Sequence, residues 1–406
     1  MSKRSASPPG GALIKRAKNN SPDPGSSREI AISSNDGDPR NKSLIRTVQR
    51  TSTLSAPIIS LAGAHAPNGS DINACRFSPS GMHIAACSTD RSLSLWETYG
   101  SNTNYGLISN AAKAPLLDLQ WSLTQPWVYV VSADATLAVI DTTTGERLRR
   151  VRAHGSGNTN GGGGTSGIIN TLDRTIAAAG RMELIATGSD DGTVKIWEAT
   201  GDDGLEKYPS NTIDIGCPVT GVCWTKDGSN IFVASLDNEI HVYDIRNITP
   251  AQSQNAYPRT QPLYSLSGHT DTPTSLTLSP SGEYLLSPSL SSNVLIHDIK
   301  PFSANPSRVH RVLRGAPAGW ENTLLRGAWS RHDALNNGRG GSMVAVGGAD
   351  RMVCVWEVET GKTLYKLPGH KGTVTCVDFH PKEPILLTGS KDGTMLLGEL
   401  DPGITV

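Results

Sequence analysis

One short frame recurs along this chain and constrains its fold more than any other feature. CSTDRSLSLWET (87–98), GSDDGTVKIWEA (188–199), SLDNEIHVYDIR (235–246) and GGADRMVCVWEV (347–358) each set an Asp six residues before an aromatic residue. The pairs are Asp90 with Trp96, Asp191 with Trp197, Asp237 with Tyr243, and Asp350 with Trp356. Three degenerate copies keep the frame: Asp134 with Ile140, Ser291 with His297, and Asp392 with Gly398. Successive sixth-position residues are 44, 57, 46, 54, 59 and 42 residues apart. Around each copy, short runs of Val, Ile, Leu and Thr alternate with Gly, Asp, Asn and Ser clusters, the texture of strands joined by tight turns. A unit of this size cannot bury its apolar faces alone, so the copies must stack.

Upstream of several copies stands a Gly-His or Ala-His pair, ending in His65, His154, His269 or His370. A His before the first strand, an Asp in a later turn and a Trp beyond it form the WD-repeat signature. The expected fold is therefore all-β, a seven-bladed WD-repeat β-propeller. In a four-stranded blade the Asp accepts bonds from turn amides and from the imidazole, and the Trp packs beside them. Such a buried polar cluster is stable only when fully satisfied, and it then fixes the blade's geometry. His65, Asp90, Trp96, His154, Asp191, Trp197, Asp237, Asp350, Trp356, His370 and Asp392 are accordingly read as structural. The last copy supplies only three strands before the chain ends, and APIISLA (56–62) is an orphan strand. It is expected to complete the last blade and cover an otherwise exposed edge.

The first 55 residues differ in kind: rich in Ser, Pro, Asn and Gly, without an aromatic residue or any periodicity. They are read as a disordered tail, with the propeller at 56–402. The whole chain has 37 basic and 37 acidic residues, but the tail holds ten basic and four acidic ones. A +6 tail and a −6 propeller thus sum to zero, which excludes a strongly basic nucleic-acid-binding fold for the propeller only. Lys3 and Arg4, then Lys15, Arg16 and Lys18, match a bipartite nuclear-localisation signal. Ser7-Pro8 and Ser21-Pro22 offer proline-directed phosphorylation sites that would lower the tail's charge.

Chemistry is sparse. The Gly run at 161–164 lacks a following Lys-Ser/Thr, Gly361-Lys362-Thr363 lacks the upstream Gly of a phosphate loop, and no HExxH or GxSxG motif occurs. The six cysteines show no metal-ligand spacing and read as reduced core thiols. No catalytic residue, cofactor or metal is expected, and no segment has the roughly 20 apolar residues of a membrane helix. The N-terminus lacks a secretory h-region, so Asn247-Ile248-Thr249 is a chance sequon. Two insertions, 155–167 and 331–342, have the composition of flexible loops.

Beyond the generic repeat, several stretches resemble one WD-repeat family, the WD-repeat subunit of the U5 small nuclear ribonucleoprotein of the spliceosome. They include SLSLWETYGSNTNY (92–105), TTTGERLRRVRAH (142–154), ENTLLRGAWS (321–330) and ADRMVCVWEVETGKTLYKLPGH (349–370), with Gly-Glu-Leu closing the last repeat. The resemblance implies a nuclear, non-catalytic scaffold acting in pre-mRNA splicing. Its partner would be the large U5 scaffold protein, with the U5 GTPase and helicase nearby and U5 snRNA contacted indirectly. Departures fall in repeat two, which has no Gly-His, and in repeat five, with Ser291 in the Asp position and Pro288 nearby. Propellers commonly present partners with the rim that carries the Asp turns. There Arg91, Asp190, Arg351 and Lys391 flank the blade Asp residues and are expected to point outward. The competing reading is a nuclear adaptor of a ubiquitin-ligase or chromatin complex. Direct RNA binding through a basic stripe with exposed aromatics is a third.

Overall fold

The computed structural model describes residues 51–65, 70–109, 111–155, 167–177, 182–200, 204–247, 260–303, 305–331 and 340–400. Within them lie seven four-stranded antiparallel sheets, each built from chain-consecutive strands except the last. The blades span 72–108, 116–152, 169–214, 219–266, 277–314, 327–367 and 374–399. The seventh is completed by Ile58–Leu61, which pairs with Met395–Glu399 in the register Ile58 to Gly398 and Leu61 to Met395. An edge that would present free N–H and C=O groups is thereby closed by the opposite end of the chain.

Ordered packing begins upstream of the expected boundary at 56. Thr51 and Ser52 donate to the Glu399 carboxylate, and Thr53 to Glu383, its backbone N–H at 2.9 Å. Leu54 is buried in the core between blades seven and one. Composition alone hid this segment, because hydroxyl residues seated on carboxylates look no different in sequence from a solvated tail.

Each blade is covered on both faces, so its inner strands can be buried at consecutive positions rather than alternate ones. Val374–Phe379 and Val219–Trp224 are buried at every position, whereas the outer strand Arg147–Arg152 is mostly not. The core is divided accordingly into seven clusters, one at each blade–blade contact. Trp197, Trp356, Tyr129 and Phe232 are the largest fully buried side chains. Blade five is the weakest by geometry. Its inner strand pairs only at Thr277–Leu278, extended by a single Pro273–Ser289 bridge.

Carboxylates on inner strands tie neighbouring blades. Asp118 of blade two accepts the Leu172 N–H at 3.1 Å, Asp173 of blade three the Trp224 N–H at 2.9 Å, and Asp378 of blade seven the Phe77 N–H at 2.9 Å. Arg326 of blade six does more: its Nη2 donates to Leu117 O at 2.9 Å and Asn170 O at 3.0 Å, carbonyls of blades two and three. One side chain therefore crosses the propeller axis.

Both insertions lie largely outside the described residues, as do the N-terminal basic clusters Lys3, Arg4, Lys15, Arg16 and Lys18 and the chain beyond Leu400.

Candidate functional site

The turn between the second and third strands has one geometry in all seven blades. The residue after the Asp position has positive φ each time: Arg91 (71°), Ala135 (65°), Gly192 (80°), Asn238 (68°), Ser292 (63°), Arg351 (67°) and Gly393 (77°). The Asp side chain holds this turn by accepting the N–H two residues on, as Asp90 does from Ser92 at 2.9 Å and Asp392 from Thr394 at 2.9 Å. Left-handed backbone favours Gly and Asn, so an Arg there is held at a cost of about 1–2 kcal/mol.

Blade three shows the full polar chain. Trp197 Nε1–H donates to Thr187 Oγ1 at 3.1 Å, Thr187 lies 2.8 Å from His154 Nε2, and His154 Nδ1 lies 3.0 Å from Asp191. With the Thr187 hydroxyl donating to Nε2 and Nδ1–H donating to the carboxylate, every donor is used. That sense requires a neutral imidazole. Burial pulls the His154 pKa down, and the His154 bond holds the Asp191 carboxyl well below the usual range against its own desolvation. Blade one uses Ser94 as the hydroxyl, with His65 Nε2 at 2.8 Å and Trp96 Nε1 at 3.0 Å, while His65 Nδ1 faces Asp90 at 3.3 Å. Blade seven has His370 between Thr388, at 2.8 Å, and Asp392, at 3.3 Å, with Gly398 in place of the indole.

The remaining blades meet the same demand differently. Asp237 is held by His241 at 2.7 Å, four residues along. Asp134 and Asp350 pair with cations of their own outer strands, Arg150 at 2.8 Å and Lys366 at 3.0 Å. Trp356 Nε1 donates instead to Arg314 O at 3.1 Å. Sequence reasoning missed His241, Arg150 and Lys366. The register holds the signal: Arg150 and Lys366 stand directly across from the residues four beyond the Asp, Ala138 and Cys354. Blade five has no substitute. His269 bonds Ser287 through Nε2 at 2.7 Å, but its buried Nδ1 is without a partner because Ser291 carries no carboxylate.

Of the four rim candidates, Arg91 and Arg351 are exposed, each at the positive-φ position of its turn. Asp190 is half-buried and accepts from Asn170 Nδ2 at 2.6 Å, and Lys391 pairs with Glu321. A further residue joins this rim. Trp320 is 99% exposed in the connection from blade five to blade six. That connection bonds the second-to-third-strand turns on either side, through Ala318 N to Ser292 Oγ at 3.0 Å and Ala349 N to Pro317 O at 2.8 Å. An indole so exposed is a natural anchor for a partner. Local sequence does not single it out, since Trp121, Trp224 and Trp329 also stand outside the six-residue frame and are buried.

Seven blades, a closing N-terminal strand and Asp-centred turns define a seven-bladed WD-repeat propeller. The WD domain, G-beta repeat family matches residues 57–97, 162–198, 210–244, 260–298 and 361–397. Pre-mRNA-splicing factor cwf17 of Schizosaccharomyces pombe is 35% identical over 87% of this chain and 91% of its own length. The U5 small nuclear ribonucleoprotein 40 kDa proteins of Dictyostelium discoideum and Homo sapiens are 32% and 33% identical, over 97% and 86% of their lengths. The chain belongs to this family of U5 small nuclear ribonucleoprotein 40 kDa proteins and their splicing-factor relatives.

Proposed function

We propose that this protein is a non-catalytic scaffold subunit of the U5 particle, working in the nucleus in pre-mRNA splicing. The observation that carries the reading is near full-length similarity to relatives named for the U5 particle and for splicing. Its polar clusters support a structural role: in blades one, three and seven the His is bonded between the turn Asp and a strand hydroxyl, and in blades one and three that hydroxyl also takes the Trp N–H. The large U5 scaffold protein is the proposed partner, and the rim bearing Arg91, Arg351 and Trp320 the proposed contact. Asp190 and Lys391 would shape that rim rather than anchor it, since each is already engaged within the chain. The basic clusters Lys3-Arg4 and Lys15-Arg16-Ala17-Lys18 are the proposed import signal.

The test is binding of the full-length chain to the purified large U5 protein, comparing wild type with Arg91→Glu plus Arg351→Glu. Loss of affinity by tenfold or more supports the rim. Binding unchanged by the double reversal moves the contact to another surface, and no binding by the wild type removes the named partner.

A further inference from the structure

The inner strands enclose an axial cavity of about 460 Å³. Lys226, Pro280, Arg331 and Pro381, at or beyond the ends of inner strands, place its mouth on the rim opposite the Asp turns, and Arg326 forms its floor. Its lining carries five cations, Arg76, Arg174, Lys226, Arg326 and Arg331. Against them stand three carboxylates, Asp118, Asp173 and Asp378, which leaves two positive charges uncompensated in the lining.

The carboxylates are also heavily subscribed, since each accepts a backbone N–H from the next blade. Only two close ion pairs form among these groups: Arg326 with Asp118 at 3.2 Å and Arg331 with Asp378 at 3.0 Å. Arg76 and Arg174 stand 3.9 Å from Asp118 and Asp173, too far for a hydrogen bond, and spend their Nε groups on Leu119 O and Trp121 O. Burial, together with the like charges of Arg331 and Arg76, pulls the Arg174 pKa down. The side chains of Arg76, Arg174 and Arg331 keep 12, 19 and 36% of their surface accessible. Guanidinium forks held on different blades around one cavity are suited to an oxyanion, and two surplus charges match a dianion.

We propose that this cavity binds a phosphate-type dianion, held by Arg76, Arg174 and Arg331. The site is independent of the partner rim and of the U5 reading. It draws blades one, three and six onto one ligand, so binding should stabilise the ring as ligand concentration rises.

The experiment is thermal unfolding of the full-length protein in rising inorganic phosphate, with sodium chloride and acetate at matched ionic strength. Phosphate stabilises most proteins slightly by exclusion from their surface. The informative quantity is therefore the phosphate increment of wild type minus that of Arg174→Gln and of Arg331→Gln. We expect a wild-type rise of several degrees, at least halved in each variant. A parallel arm follows ³¹P line broadening of inorganic phosphate and of phosphoserine by the wild-type protein, which requires no variant to fold. Broadening of inorganic phosphate assigns the site to a free ion. Broadening of phosphoserine alone assigns it to a phosphorylated side chain presented by a partner. Equal increments in wild type and variants, or no broadening of either probe, overturns the site.

Discussion

Arg326 Nη1 lies 3.2 Å from Asp118 Oδ2, joining blade six to blade two through the propeller axis, with both side chains almost fully buried. The same guanidinium donates to carbonyls of blades two and three. The core clusters each join two adjacent blades, so this contact ties together parts of the ring that sheet packing leaves apart. The Leu-Leu-Arg of the sixth repeat, which sets this chain apart from a generic WD repeat, thereby gains a physical role.

Removing that guanidinium should be costly. Arg326→Met leaves the buried Asp118 its backbone N–H donors but, as a cation, only the more distant Arg76 at 3.9 Å, and it takes a donor from two carbonyls. Loss of one partner of a buried ion pair typically costs about 3–5 kcal/mol. Arg76 should keep the value near about 3 kcal/mol. Urea unfolding would measure it, and a change within about 0.5 kcal/mol would show that the crossing contact contributes little.

Closure by the N-terminal strand makes a second prediction. Deleting residues 56–62 removes the partner of Met395–Glu399 and withdraws buried Leu61 from the core between blades seven and one. Tm should fall steeply, and the single substitution Leu61→Ala should already cost about 2–5 kcal/mol. An unchanged Tm in the deletion would refute the clasp.

Blade five offers a gain. Ser291→Asp places a carboxylate where the other six blades have one, within the turn that faces His269. The orphaned Nδ1–H of His269 would acquire an acceptor, and stability should rise by about 1 kcal/mol. The His269 imidazole, held down to about 3 by burial and then by the neighbouring His297, should titrate higher in the variant. NMR titration reads this directly; an unmoved His269 pKa would show that the turn cannot deliver the carboxylate.

The same two histidines set an acid limit. Burial holds His297 down to about 4, and both rings are neutral in the folded protein near neutral pH. Unfolded imidazoles titrate near 6.5, so below that pH the unfolded chain binds protons that the folded one refuses. Their contribution is complete above about pH 6.5 and declines towards pH 3–4, by up to about 1.4 kcal/mol per pH unit for each histidine. Urea midpoints at pH 7.5, 5.5 and 4.5 should fall in that order. A flat profile would contradict neutral burial of these rings.

Much of this architecture is legible in the sequence because the Asp turn needs one residue type at a fixed place. Asp90, Asp191, Asp237 and Asp350 declare four blades, and the three degenerate copies fall into the same frame. His65, His154 and His370 are legible for the same reason, each following a Gly or Ala upstream of a first strand. Arg150, Lys366 and His241 escape that reading because they reach the Asp from strands whose register is known only once the sheet is built. Arg326 lies further still from local pattern: its partners are carbonyls of blades two and three, brought close only by closure of the ring. Trp320 is hidden for a different reason, since exposure is a property of the folded surface.

The rim carries the central claim. Because Arg91 and Arg351 sit at positive φ, Gly is compatible with both backbones, and the pair Arg91→Gly plus Arg351→Gly removes the side chains without straining the turns. The decisive measurement is affinity purification of the tagged full-length protein from nuclear extract, with each spliceosomal snRNA quantified for wild type and for this pair. The account predicts U5 snRNA and its large proteins enriched with wild type and strongly reduced with the variant, at a Tm no lower than that of wild type. Recovery of a ubiquitin-ligase or chromatin complex without U5 snRNA would contradict it.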